Sequence, residues 1–140
     1  IMLWPNADAG SDDISKGIRT YREKNNPEWL HLFKNLPTRI YIHLMNTTSC
    51  LVGNSSSGVR EGAFIGTPVV NIGTRQNKRL RTNNVEQVGY ESHEILVGIK
   101  KQLAHGKYES SDIYGDGKAG VQIAEILVNA EPSIQKTITY

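Results

Sequence analysis

The chain has 140 residues, 38% hydrophobic and 21% charged, with 16 basic side chains against 14 acidic ones. A chain of this size buries roughly 68% of its unfolded surface, so it has material for one domain with a real core. Thirteen Gly and five Pro exclude collagen-like and low-complexity readings, no apolar run approaches the ~20 residues of a membrane span, and a net charge of +2 does not by itself point to nucleic acid.

The single cysteine, Cys50, allows neither an intrachain disulfide nor a thiolate zinc site. The chain therefore reads as reduced, intracellular and metal-free, and the accompanying expectations are a cytoplasmic location with no cofactor, no membrane and no nucleic-acid partner. The opening Ile1-Met2-Leu3-Trp4-Pro5 lacks the basic region and long apolar stretch of a signal peptide. It starts inside an apolar run and without Met, as a piece of a longer protein would.

Residues 1–4 read as a short buried strand stopped by Pro5. Ser11 is placed to N-cap a helix with Asp12 and Asp13 in its first turn, where the helix dipole favours acid. Ile14, Ile18 and Tyr21 recur along that helix, and Asn25-Asn26-Pro27 ends it. Residues 28–33 read as a second strand, and Pro37-Thr38 opens a helix carrying Ile42 and Met45 on one side. Residues 49–53 form a short apolar strand, 54–58 a polar turn, and 59–65 the helix that follows. Gly66-Thr67-Pro68 ends that helix before the strand 69–72.

A loop rich in Gly, Thr, Asn and Arg covers 73–84, with one more strand at 85–88. Residues 91–105 are the clearest helix, with Ile95, Leu96, Ile99 and Leu103 on one stripe. A polar loop follows over 106–117, then a last helix over 119–128. Short apolar strands alternating with helices indicate an α/β fold, a parallel sheet with helices on both faces. Such sheets bind ligands at the carboxyl ends of their strands. The loops 5–11, 54–58 and 73 onward are therefore the places to look.

The strongest local pattern is Gly53-Asn54-Ser55-Ser56-Ser57-Gly58-Val59-Arg60-Glu61. A strand runs into small polar residues and then a helix. Free N–H groups and hydroxyls there suit an anion, and small side chains let a phosphate approach the backbone. Glu61, a turn later, is a candidate acceptor for two ribose hydroxyls. The Gly-Lys-Ser/Thr ending of a Walker A loop is missing. The same pattern also fits a well-capped helix with an exposed glutamate and no ligand.

Taken together with Gly66-Thr67-Pro68-Val69-Val70-Asn71-Ile72-Gly73-Thr74-Arg75-Gln76, this stretch closely resembles the hydrolysing UDP-N-acetylglucosamine 2-epimerases. The blocks Leu3-Trp4-Pro5-Asn6-Ala7-Asp8-Ala9-Gly10-Ser11 and Ile113-Tyr114-Gly115-Asp116-Gly117-Lys118-Ala119 agree in order and spacing. The resemblance implies the C-terminal half of a GT-B-type fold of two Rossmann-like domains, here a single nucleotide-binding domain over residues 1–140 that lacks its opening strand. It implies loss of UDP from UDP-GlcNAc by anti elimination, then addition of water to the glycal to give N-acetylmannosamine and UDP, in sialic-acid-type sugar synthesis.

The proton-moving carboxylates of the family lie mainly in the missing N-terminal domain. No catalytic residue is therefore expected in this chain, which alone should be inactive, and the full-length enzyme is expected to be a homo-oligomer. By the same resemblance Ser55 and Ser56 match the serines that hold the diphosphate, and Glu61 the acid that holds the ribose. Arg75 and Asn6 match further residues of the nucleotide site, and Leu36 a position whose backbone meets the uracil. One departure stands out. Family members usually have Gly before the Arg that closes the Arg-Gln loop, whereas here Lys78 precedes Arg79. The base of the nucleotide stays open, since some relatives act on GDP-linked sugars, and the donor half of a GT-B glycosyltransferase shares fold and loop.

Other features have plainer readings. Arg75, Lys78, Arg79 and Arg81 form a basic run without the aromatic interleaving of an RNA site, and read as a loop facing a nucleotide phosphate. His31, His43, His93 and His105 are scattered, without metal-site spacing. Cys50 reads as a small core residue. Asp116, between two glycines, fits either a ligand approach or a tight turn.

Overall fold

A computed structural model describes residues 1–8 and 10–131, and all of its strands pair in parallel. The chain divides into two compact units, Ile1–Leu44 and a second that begins at Met45. The α/β class read from the alternating pattern is the class observed.

The first unit holds β1 (Met2–Leu3), α1 (Ser11–Asn25), β2 (Leu32–Phe33) and most of α2 (Thr38–Thr47). β1 and β2 form a two-stranded sheet with Met2 opposite Leu32 and Leu3 opposite Phe33. β1 is exposed rather than buried, because two residues paired on one side offer little surface for anything to cover. The strand expected over 28–33 shrinks to its last two residues. Ser11 is not the cap of α1. Gly10 takes that place in a left-handed conformation, φ 82°, and Ser11 is the first helical residue, its N–H donating to the Asp8 carbonyl at 3.0 Å. The helix ends at Asn26, also left-handed at φ 39°, before Pro27. Ile18 is buried, but Ile14 and Tyr21 are about half exposed, and Tyr21 meets Trp29 edge-on with centroids 6.5 Å apart.

The second unit is built on β4 (Val69–Ile72), flanked by β3 (Leu51–Gly53) and β5 (Val85–Val88) in the order β3-β4-β5. β4 and β5 match the strands read from the sequence. β4 is almost wholly buried, as the middle strand of a parallel sheet must be when both faces are covered. Its consecutive valines show the covering. A side chain at Gly58 would touch Val69, whereas one at Gly98 would touch Val70. Neighbouring strand residues point to opposite faces. So α3 (Ser56–Val59) lies on one face and α5 (Ser92–His105) on the other.

Two differences from the sequence reading have clear causes. The helix expected over 59–65 begins at Ser56 and breaks at Arg60 (ψ −72°), giving α3 and a second short helix, α4 (Glu61–Ile65). The early start comes from Ser55, whose side chain caps the turn. On α5, Leu96 and Leu103 are about half exposed, and the buried residues are Gly98 and Gln102. Gly98 sits there because a Cβ would come within 3.1 Å of Val88. Gln102 sits there because its amide donates to the Val69 and Asn84 carbonyls at 3.0 and 3.3 Å, at the amino edge of the sheet. The last helix, α6 (Ala119–Asn129), buries none of its side chains. No helix among the described residues is long and apolar enough to cross a membrane.

Candidate functional site

The carboxyl edge of the three-stranded sheet carries the loops that follow β3, β4 and β5. After β3, Ser55 adopts an extended conformation and caps α3, its hydroxyl accepting the Ser57 N–H at 3.4 Å and lying 2.9 Å from the Ser57 hydroxyl. The Ser55 carbonyl accepts the Gly58 N–H at 3.3 Å. Gly58 is buried because α3 presses onto the sheet, where a Cβ would come within 3.0 Å of Val69 and 3.2 Å of Leu51. α3 is a single turn, so its dipole is small. Hydroxyls and individual amides are the donors this loop can offer an anion.

The loop after β4 is held at several points. Gln76, 3% exposed, donates from Nε2 to the Asn54 carbonyl at 2.8 Å, tying this loop to the serine turn. Gln87 on β5 donates to the Gly73 carbonyl at 2.7 Å and accepts from Asn71 and Arg81, each at 2.6 Å. The Thr74 N–H donates to the Tyr90 hydroxyl at 3.4 Å, and the Tyr114 hydroxyl donates to the Leu80 carbonyl. Arg75, exposed, lies between Thr74 and Gln76 and so inherits both restraints.

Lys78 in this loop is left-handed, φ 67°. A glycine adopts that conformation without strain, whereas an L side chain costs roughly 1–2 kcal/mol. The lysine therefore holds, at some cost in strain, a conformation that glycine adopts freely. Lys78→Gly is expected to raise stability by about 0.5–1 kcal/mol after the entropy cost of glycine. Lys78→Val should lower it, because a β-branched residue tolerates positive φ least. Urea midpoints of the two variants check this.

The structure gathers Ser55, Ser56 and Arg75 at one edge through the Gln76 tether. Glu61 follows as the exposed first residue of α4. Asn6 and Leu36 belong to the first unit. There the Asn6 carbonyl accepts the Asp8 N–H at 2.8 Å, and the Leu36 N–H donates to the Asn35 side chain at 2.8 Å. In the sequence Gln76 stands only as the end of the Gly-Thr-Arg-Gln stretch, with no role of its own, and Gln87 does not stand out at all. A glutamine carries no signal of its own until its partners are known.

The remaining candidates resolve simply. Asp116 lies in a tight turn between Gly115 and Gly117, where its carboxylate accepts the Lys118 N–H at 3.0 Å and pairs with the Lys118 ammonium at 3.3 Å. The backbone hydrogen bond, then the side-chain one, hold that carboxyl below its ordinary range. Cys50 is half-buried, and burial pushes its thiol pKa up, which suits a packing role and not a nucleophile. His105 stacks on Tyr108 with centroids 3.7 Å apart. Among the described residues no three His, Cys, Asp or Glu side chains gather as metal ligands. Two cavities of about 550 and 190 Å³ open at the amino edge of the sheet, lined by residues such as Asn84, Lys107 and Ser111 in one and Thr67, Pro68 and Leu103 in the other. Neither touches the serine turn.

The model of the family described as UDP-N-acetylglucosamine 2-epimerase matches residues 1–128. The chain belongs to that family. It is 35% identical over 127 residues to the UDP-N,N'-diacetylbacillosamine 2-epimerase (hydrolyzing) of Legionella pneumophila, covering 91% of this chain and 33% of that protein. It is 28% identical over 134 residues to the UDP-N-acetylglucosamine 2-epimerase of Neisseria meningitidis, covering 94% and 34%. The GDP/UDP-N,N'-diacetylbacillosamine 2-epimerase (hydrolyzing) of Campylobacter jejuni is 42% identical over 85 residues, 61% of this chain and 22% of that protein. The chain thus spans about a third of the length of the first two relatives and less of the third.

Proposed function

We propose that this chain forms the nucleotide-binding half of a hydrolysing UDP-N-acetylglucosamine 2-epimerase, cytoplasmic and homo-oligomeric as a whole protein. One observation carries the reading. The Gln76 amide joins the serine turn to the loop bearing Arg75, so hydroxyl and amide donors and a guanidinium stand at the carboxyl edge of a parallel sheet. In this reading Ser55 and Ser56 hold the diphosphate and Arg75 supplies the charge that offsets it. Glu61 accepts the ribose hydroxyls. Asn6 adds a contact to the nucleotide, and the backbone at Leu36 meets the base. Among these, the Leu36 N–H is already engaged by Asn35, which leaves its carbonyl as the group available to a base.

The reaction is anti elimination of UDP from UDP-GlcNAc, followed by addition of water to the glycal, releasing N-acetylmannosamine and UDP. This chain's residues bind and orient the nucleotide, and the groups that move protons come from the rest of the protein. A second sugar is favoured by one observation: the Legionella pneumophila relative is named for UDP-N,N'-diacetylbacillosamine and is more similar than the N-acetylglucosamine relative. Incubating the whole protein with each nucleotide-sugar and measuring UDP release decides between them. Release from neither overturns the epimerase reading.

Glu61 gives the direct test of the site. It is exposed, so Glu61→Ala should leave the melting temperature nearly unchanged. Loss of a charged hydrogen-bond acceptor should weaken UDP binding by about 1.5–3 kcal/mol, roughly ten- to hundred-fold in Kd. Calorimetric titration with UDP checks it. Unchanged affinity in the folded variant would remove Glu61 from the site.

A further inference from the structure

We infer that Gln76 is a positioning residue for the diphosphate, the side chain that sets the direction of the Ser55 amide and keeps the serine turn in register with Arg75. The inference rests on the nucleotide-binding reading above and goes beyond it, since Gln76 touches no substrate group in that reading. Three features of the structure converge on it.

First, Gln76 is 3% exposed although its loop neighbours Thr74, Arg75 and Asn77 are exposed, so its side chain turns inward while the loop faces solvent. Second, its Nε2 donates to the carbonyl of Asn54 at 2.8 Å across 22 residues of sequence. A trans peptide is planar, with C=O and N–H on opposite sides. Holding the Asn54 carbonyl toward Gln76 therefore turns the Ser55 N–H the other way, away from the loop core. Third, the Gln76 Oε1 is buried and has no partner among the described residues. A carbonyl acceptor at Asn54 requires the amide nitrogen to face it, so the orientation of the amide is fixed by its partner. A glutamine kept here with one polar atom unpaired is not optimised for stability, because a buried unpaired acceptor is costly.

The consequence is mechanical. Arg75 precedes Gln76 and Ser55 follows Asn54, so one hydrogen bond fixes the spacing of two groups that act on the same anion. Preorganisation of this kind changes affinity for the phosphate portion of a ligand and leaves the nucleoside portion alone.

The experiment compares UDP with uridine on the whole protein, in the wild type and in Gln76→Met and Gln76→Asn. Methionine matches the shape and removes both polar atoms, while asparagine keeps the amide but is one methylene too short to reach. In both variants UDP affinity should fall about ten-fold with uridine affinity unchanged. 15N relaxation should show greater motion at the Ser55–Ser57 amides and none added at Val69 and Val70. A purely structural glutamine would lower the melting temperature and shift both ligands together. Equal loss for UDP and uridine, or no loss for UDP, overturns the inference, as does failure of both variants to fold. A wild type that binds UDP no better than uridine would instead overturn the nucleotide-site reading itself.

Discussion

Gly66→Ala is expected to cost about 3–5 kcal/mol of stability, enough to unfold much of a domain whose total is typically 5–15 kcal/mol. Gly66 ends α4 in a left-handed conformation, φ 76°, its own N–H and that of Thr67 both donating to the Gly62 carbonyl at 2.9 and 3.0 Å. An alanine there meets two separate penalties. Positive φ strains any L side chain, and the new Cβ would run into the backbone carbonyl of Tyr108. That carbonyl cannot swing aside cheaply, because the Tyr108 N–H donates to the Gly66 carbonyl at 2.9 Å and its ring stacks on His105. Gly66→Asn separates the two penalties. Asparagine tolerates the left-handed backbone but carries the same Cβ, so it should be nearly as damaging as alanine. Urea unfolding of both variants checks this, and a stable Gly66→Asn protein would reduce the effect to backbone strain alone.

The same glycine shows what was legible in the sequence. Gly66-Thr67-Pro68 marks a helix end by itself, because a glycine and a proline leave little else to do, and β4 follows from three β-branched residues around a single Asn. What lay outside local pattern was lost. Of the apolar stripe of α5, Ile95 and Ile99 are partly buried but Leu96 and Leu103 are half exposed, and the residues buried outright are Gly98 and Gln102, because close approach and two carbonyls at a strand edge decide the contact face. In the first unit, strands of two residues are too short for any periodicity to register. The serine turn was legible, since small polar residues between a strand and a helix have few other uses. Its tether was not, because the Gln76 bond spans 22 residues and depends on two loops meeting at the end of a sheet. Lys78 lies between these cases: the departure from glycine was visible, but only the backbone angle shows that the position takes a conformation glycine favours.

Aspartate at Ser55 or Ser56 should abolish most UDP binding while leaving the fold intact. Ser55 caps α3 through its hydroxyl, and aspartate is as good a cap, so Ser55→Asp should keep its melting temperature. Ser56 is the first helical residue, where an acid is also well placed. The added carboxylate would face the diphosphate. Two unit charges about 4 Å apart near a protein surface repel by about 4 kcal/mol, so affinity should drop by two orders of magnitude or more. Alanine behaves in the opposite sense. Ser55→Ala removes the cap and should cost about 1 kcal/mol of stability, with a smaller loss of UDP affinity. If the serines only cap a helix, the order reverses and aspartate is harmless to everything measured. Melting temperature and UDP titration on the four variants distinguish the two. High salt adds a further check: the screening length falls from about 10 Å at 0.1 M salt to about 3 Å at 1 M, below the separation of these charges, while a lost hydrogen bond is not screened, so the defect of the aspartate variants should ease between 0.1 and 1 M salt and that of the alanine variants should not.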